Sequence, residues 1–270
     1  MAAFTKPVGF TSSVSLTHIS TATAVLSIDG INFLTDPAFD PNGTSYDLGD
    51  MVLRRIRPTA LQLQDLPPID AVLLSHEDHE DNLDPTGRTL LNGRRVLTTQ
   101  DGARKLAPRP GVRGLAPWES TQLTLSGKTF NITAMPCDHF PGGEVIGFTI
   151  HTESFGKSAD GRPNVIYLSG DTVYMDSVAQ WLRKDTSVAL AVPNLGAATV
   201  PGPAVITMNG SQAIHWAQAI DAHAVVPLHY ESWEHFAEQE DALRKVLESD
   251  ANPIKNKFLM LQRGKATPIL

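Results

Sequence analysis

The 270-residue sequence has a single cysteine, and its 22 basic side chains are outnumbered by 29 acidic ones. No apolar run approaches the roughly 20 residues of a membrane span. Each shortage excludes something. The lone thiol, Cys137, cannot close an intramolecular disulfide, and it reads as a small buried hydrophobe. No transmembrane segment is expected, and Met1 to Phe10 lacks the basic start and apolar core of a secretory signal. A net charge of −7 argues against nucleic-acid or anionic-membrane partners, which call for basic patches. There is no internal repeat, linker or low-complexity tract. What remains is a chain that is 41% apolar and long enough to bury a sizeable core. We expect one domain over residues 1–270, cytoplasmic, with a small-molecule partner and with homo-oligomerisation left open.

The densest chemistry lies in Ser75-His76-Glu77-Asp78-His79-Glu80-Asp81-Asn82-Leu83-Asp84, directly after the apolar run Ala71 to Leu74. Carboxylates crowded this way repel one another unless a positive charge sits among them, and a divalent cation is the usual resident of such a strand-end loop. An acidic loop after a strand is also commonly just solvated. The balance shifts because Asp138-His139, Asp171 and His229 stand at further predicted strand ends, and a rigid sheet builds sites by gathering groups from separate strands.

Around these residues the chain alternates like strands at 14–19, 24–28 and 31–34, with Asp29-Gly30 as a hairpin turn between the last two. Asp36 ends the third strand and reads as a turn residue, with reach to the metal loop as the alternative. Residues 41–68 form a long irregular stretch carrying Arg54, Arg55 and Arg57, either a binding loop or a solvated one. Further strands are expected at 94–99, 122–125, 129–135, 146–150, 165–169, 188–193 and 224–228. Helices are expected at 101–106 with Asp101 as N-cap, at 177–183, at 211–220 and from Ser232 to Leu247.

Taken together, TATAVLSIDGINFLTDP, LPPIDAVLLSHEDHEDNLD, Asp138-His139, SGDT at 169–172 and Pro227-Leu228-His229-Tyr230 resemble the metallo-β-lactamase superfamily, in the order found there. They are most similar to the branch with ascorbate-phosphate lactonases and the phospholipase-D-like enzymes of N-acyl ethanolamine lipids. The resemblance covers roughly residues 14–236. It implies an α/β fold, the αββα four-layer sandwich, with metals at one edge between the sheets. The central family motif is HxHxDH followed by Leu-Asp. Here Asn82 replaces the last His, and either His76 or Glu77 takes the first position, with imidazole the commoner zinc ligand. Carried over, one metal is held by His76 (or Glu77), His79 and His139, the other by Asp81 and His229, with Asp171 bridging. Zn²⁺ suits these donors, one or two per chain, and Mn²⁺ or Fe²⁺ also bind such sets. Asn82 puts the second site's occupancy in question and is itself a candidate metal or substrate contact.

The function implied is a metal-dependent hydrolase of a small ester, lactone or amide, in which the metal brings the pKa of its water to about 7 and polarises the carbonyl. Asp81 is the candidate to orient the nucleophile and carry a proton to the leaving group. Arg57, Tyr230 and His235 are candidate substrate contacts, with His18 a further polar group. Structural roles compete for Tyr230, His18 and His235. A phosphodiesterase is the alternative, favoured if Arg54, Arg55 and Arg57 face the site. A degenerate binding protein is a third reading, supported only by Asn82.

Overall fold

The computed structural model describes residues 2–139, 143–200 and 205–270. Two sheets face each other. The first contains β1 (Val14–Ser20), β2 (Thr23–Ile28) and β3 (Ile31–Thr35). Outside both sheets, β4 (Ser45–Asp47) and β5 (Val52–Arg54) form a separate hairpin. Then β6 (Ala71–Leu73), α1 (Pro85–Arg88), β7 (Arg95–Thr99), α2 (Gln100–Leu106) and β8 (Val112–Leu115) complete the first sheet with its outer helices. The second sheet contains β9 (Ser120–Leu125), β10 (Lys128–Pro136), β11 (Ile146–His151) and β12 (Asn164–Leu168). It is completed through α3 (Asp176–Asp185) by β13 (Ser187–Val192). Helices α4 (Gly210–Ala219) and α5 (Glu240–Leu247) follow, and β14 (Thr267–Pro268) returns to pair with β1.

The strand order is β14-β1-β2-β3-β6-β7-β8 in one sheet and β13-β12-β11-β10-β9 in the other. Period-two alternation sends Leu26, Phe33 and Leu73 of the first sheet inward to meet Phe130, Ile132 and Phe148 of the second. Phe33 and Phe130 meet edge to face at 5.0 Å, so the two inner faces interdigitate. The opposite faces are apolar too. Val25, Leu34 and Val96 pack on Leu83, Leu91 and Leu106, and Tyr167, Val188 and Ala191 pack on Leu182, Trp216 and Leu243. Both sheets are therefore covered outside as well as inside, which makes the architecture the expected αββα sandwich. At the Asp29-Gly30 turn both residues have positive φ, 51° and 83°, as a two-residue hairpin needs.

Three local expectations change. Helix α2 starts at Gln100, capped by the Thr99 hydroxyl, which accepts from Gly102 N at 2.8 Å, rather than by Asp101. Residues 224–228 lie alongside β13 and Phe258 through isolated bridges only, because Pro227 has no N–H to continue a ladder. The helix expected from Ser232 begins only at Glu240. Before it, Trp233 and Phe236 are buried with Leu53, Ala198 and Ile206, and Gln239 Nε2 donates to the carbonyls of both aromatic residues. Tertiary burial overrides the helical spacing there. Among the described residues no helix is long and apolar enough to cross a membrane.

Candidate metal centre

All the strands that carry the singled-out residues end at one edge of the sandwich. β3 and β6 are parallel, and β10 and β12 run alike because each is antiparallel to β11. Ile146 N donates to Ser75 O at 3.1 Å, which joins the two sheets at this edge. The turn after β12 requires Gly170: its φ is 62°, and a Cβ there would lie 2.7 Å from the Ile146 carbonyl oxygen. The tight turn presents Asp171 between the sheets. His229 also has positive φ, 61°, without being glycine. Its backbone N donates to Thr21 O at 2.8 Å, and its ring Nδ1 donates to Leu195 O at 3.0 Å. Strain held by surrounding bonds in this way is typical of a functional position.

Two groups of ligand atoms result, His76 with His79 and His139, and Asp81 with Asp171 and His229, each gathered within 4.8 Å. His76 Nε2 lies 3.0 Å from His79 Nδ1, and His139 Nε2 lies 3.3 Å from the same atom. A carbonyl oxygen only accepts, so the 2.9 Å bond of His139 Nδ1 to Ile206 O leaves Nε2 of the neutral ring as a lone pair that faces His79 Nδ1. The same logic applies to His229. Its buried Nε2 has no hydrogen-bond partner, yet it faces Asp171 Oδ2 at 3.3 Å and Asp81 Oδ2 at 3.4 Å. A lone pair against two carboxylates is repulsive unless a positive charge sits between them, and either a proton or a metal cation supplies it.

The electrostatics agree. Burial would lower the pKa of His229, but Asp171 and then Asp81 outweigh it and hold the ring well above its ordinary value. His76 is pushed down to about 3, first by burial and then by His79, so it is neutral and able to donate. Burial acts upward on Asp81 and Asp171, yet both lie below the usual carboxylate range because the imidazoles beside them dominate. Imidazole nitrogens and carboxylate oxygens at this spacing fit a divalent transition metal such as Zn²⁺.

Other expected residues fall elsewhere. Glu77 turns to Lys105 at 2.8 Å and Arg88 at 3.1 Å, so His76, not Glu77, stands with the imidazoles. Asn82 is wholly buried behind the carboxylates. With its amide nitrogen turned toward them it donates to Asp81 Oδ1 and Asp171 Oδ2, both at 3.2 Å. Tyr230 is wholly buried, with its hydroxyl 3.4 Å from His18 Nδ1, and does not line the pocket. Arg57 pairs with Glu240 at 2.8 Å, Arg54 with Glu234 at 3.6 Å, and Arg55 is buried near Asp84 at 3.9 Å. None of the three lines the pocket. His235 does line it, with Nε2 3.5 Å from Asp81 Oδ2.

Sequence reasoning missed two supports. Asn194 Nδ2 donates to Asp171 Oδ1 at 2.7 Å, and Ser75 Oγ lies 2.8 Å from His76 Nδ1. Neither type stands out in a sequence. Asp36, expected as a turn residue with reach to the metal loop as the alternative, does reach that loop: it accepts from Ser75 N at 2.6 Å, and burial together with Asp171 raises its pKa to about 8. The pocket, about 50 Å³ and open to solvent, has His79, Asp81, His139, Asp171, His229 and His235 at its floor.

Comparison with known proteins adds to this geometry. The family described as "Beta-lactamase superfamily domain" matches residues 31–230. The N-acyl-phosphatidylethanolamine-hydrolyzing phospholipase D 1 of Caenorhabditis elegans is 27% identical over 61% of this chain and 48% of that relative. The chain spans about half the length of the curated relatives it matches. Among solved structures, an isothiocyanate hydrolase from Delia radicum gut bacteria superposes with a TM-score of 0.74 at 20% identity, over 94% of this chain and 98% of that one. A protein described as a possible metal-dependent hydrolase, from Veillonella parvula, gives the same TM-score and identity over 95% of this chain and 100% of that one. At such identities the structural likeness speaks for the fold.

Proposed function

The chain belongs to the metallo-β-lactamase superfamily, and from that premise we propose that it is a metal-dependent hydrolase of a small ester, lactone or amide. The observation that carries the reading is the gathering of His76, His79 and His139 in one group of ligand atoms and of Asp81, Asp171 and His229 in another, each within 4.8 Å. His76, His79 and His139 would hold one cation, Asp81 and His229 a second, with Asp171 between them. Zn²⁺ is the cation we assign. When bound, it supplies Lewis acidity toward the substrate oxygen and a water acidic enough to act as nucleophile near neutral pH.

The chain's own residues do the rest. Leu195 O and Ile206 O fix the tautomers of His229 and His139, and Asn194 fixes the Asp171 carboxylate. Asp81, flanked by His229 and His235, orients the attacking water and takes its proton toward the leaving group. His235 lines the pocket and is the substrate-facing imidazole of this reading. The return of β14 to β1 supports taking the chain as one domain, and the partner taken in this reading is a small molecule.

A phosphodiesterase is the weaker reading. The arginines that would favour an anionic substrate are engaged with Glu234, Asp84 and Glu240 instead. Metal analysis with a hydrolysis screen of lactones, esters, amides and phosphodiesters tests both readings. Asp171→Ala should lose bound metal and activity together. A metal-depleted Asp171→Ala protein with full activity would overturn the proposal.

A further inference from the structure

Above the pocket floor stand two apolar walls that hydrolysis itself does not require. One is the β4–β5 hairpin, with Leu48, Met51 and Leu53; the other comprises Ala198, Val200 and Ile206, with Thr199 its one polar member. The second wall is a short antiparallel pairing, in which Thr199 bridges Val205 and Ile206 N donates to Ala198 O at 2.9 Å. Both are anchored. Leu53, Ala198 and Ile206 share a buried cluster with Trp233 and Phe236, and Met51 and Val200 pack against it. Behind the hairpin, the Arg55 guanidinium bonds Ser20 Oγ and the carbonyls of Arg57 and Ala38.

Leu48, which lines the pocket, is 47% accessible, and the neighbours of the wall residues, Val52 at 49% and Val205 at 42%, are exposed as well. Among the described residues, only Val8, Ile56 and Trp118 are other large apolar side chains exposed to this degree. Scattered singly such residues mean little, but apolar side chains that line a pocket above a few polar groups mark a binding surface. Charge points the same way. Among the described residues lining the pocket there is no Lys or Arg. An anionic tail would find no cation in either wall.

Building on the hydrolase reading, we infer that the substrate is a neutral molecule with a short apolar arm beside its scissile carbonyl. The arm lies between the Leu48, Met51, Leu53 wall and the Ala198, Val200, Ile206 wall. Specificity then comes from chain length and from the absence of charge at the arm's end. The whole pocket, floor included, measures about 50 Å³, so the walls enclose only the first few carbons of the arm.

The test is a homologous series of straight-chain alkanohydroxamic acids, each below its micelle concentration, titrated calorimetrically into metal-loaded protein. Each methylene that enters the vestibule should tighten binding about fourfold, until the walls are filled and the gain levels off. A carboxylate at the end of a chain of equal length should abolish the gain. Leu48→Asp and Met51→Asp should flatten the series while metal content per chain stays at the parent value. The inference is overturned if affinity is independent of chain length, if the carboxylate-ended probe binds as tightly, or if the gain appears only above the micelle concentration, as for a lipid surface. Failure of all the hydroxamates to bind would overturn it as well. The parent series decides even where a variant does not fold. The assay reads occupancy, not turnover: chain-length-dependent binding without hydrolysis of any carbonyl substrate would refute the hydrolase reading and leave the vestibule standing.

Discussion

Asn194 offers the sharpest separation of a site-building role from a packing one. It is buried, and its side-chain nitrogen donates to Asp171 Oδ1 at 2.7 Å, while its backbone N donates to Ser169 Oγ at 2.9 Å. Asn194→Ala keeps the backbone bond and removes only the donor that fixes the carboxylate. A hydrogen bond to a charged group contributes about 1.5–3 kcal/mol, and removing a partner that orients a ligand weakens metal binding about 10–100-fold. That loss corresponds to about 1.4–2.7 kcal/mol. Because saturating metal stabilises the folded state in proportion to the logarithm of its affinity, the variant should be destabilised by that much more when metal-loaded than when metal-free. The assay pairs competition with a chromophoric chelator, which gives the affinity directly, with urea unfolding of both forms. An unchanged metal affinity, with equal destabilisation of loaded and metal-free protein, would show that Asn194 merely fills space.

Three further outcomes follow from the same geometry. After identical dialysis the parent should retain one firmly held metal per chain and Asn82→His a second, since a carboxamide is a far weaker donor than imidazole; two tightly held metals in the parent would refute this. Asp36 holds a proton in the folded state up to about pH 8, whereas the unfolded chain releases it near 3.8. Its contribution therefore falls as pH rises between those values, by at most about 1.4 kcal/mol per pH unit. In metal-free protein Asp36→Asn should compare more favourably with the parent at pH 7.5 than at pH 5, and a difference in urea midpoint that does not change with pH would sink the argument. Arg55 is buried and is the cation beside the buried Asp84 carboxylate. Arg55→Met should cost up to about 3–5 kcal/mol by leaving that charge only the backbone N–H groups of Asp40 and Gly87, and a loss below about 1 kcal/mol in chemical denaturation would show that Asp84 does not rely on it.

The sequence by itself determined the strands and the ligand loop. Alternation, the Asp29-Gly30 turn and the buried run 71–74 are local signals, and they fix which residues face which way before any packing occurs. The αββα class and the grouping of His79, His139, Asp171 and His229 came from motif order, which carries long-range information that local pattern lacks. Tertiary structure decided what depends on contacts between distant segments. Glu77 and His76 are neighbours in sequence, and only the placement of Lys105 and Arg88 draws one carboxylate away while His76 turns to His79. The three arginines look alike along the chain, yet Glu234, Asp84 and Glu240 direct all of them away from the pocket. Trp233 and Phe236 forgo a helix because burial against Leu53 and Ile206 outweighs local propensity. The support of Asp171 by Asn194 spans 23 residues. No periodicity records such a contact, because it exists only once β12 and β13 lie side by side.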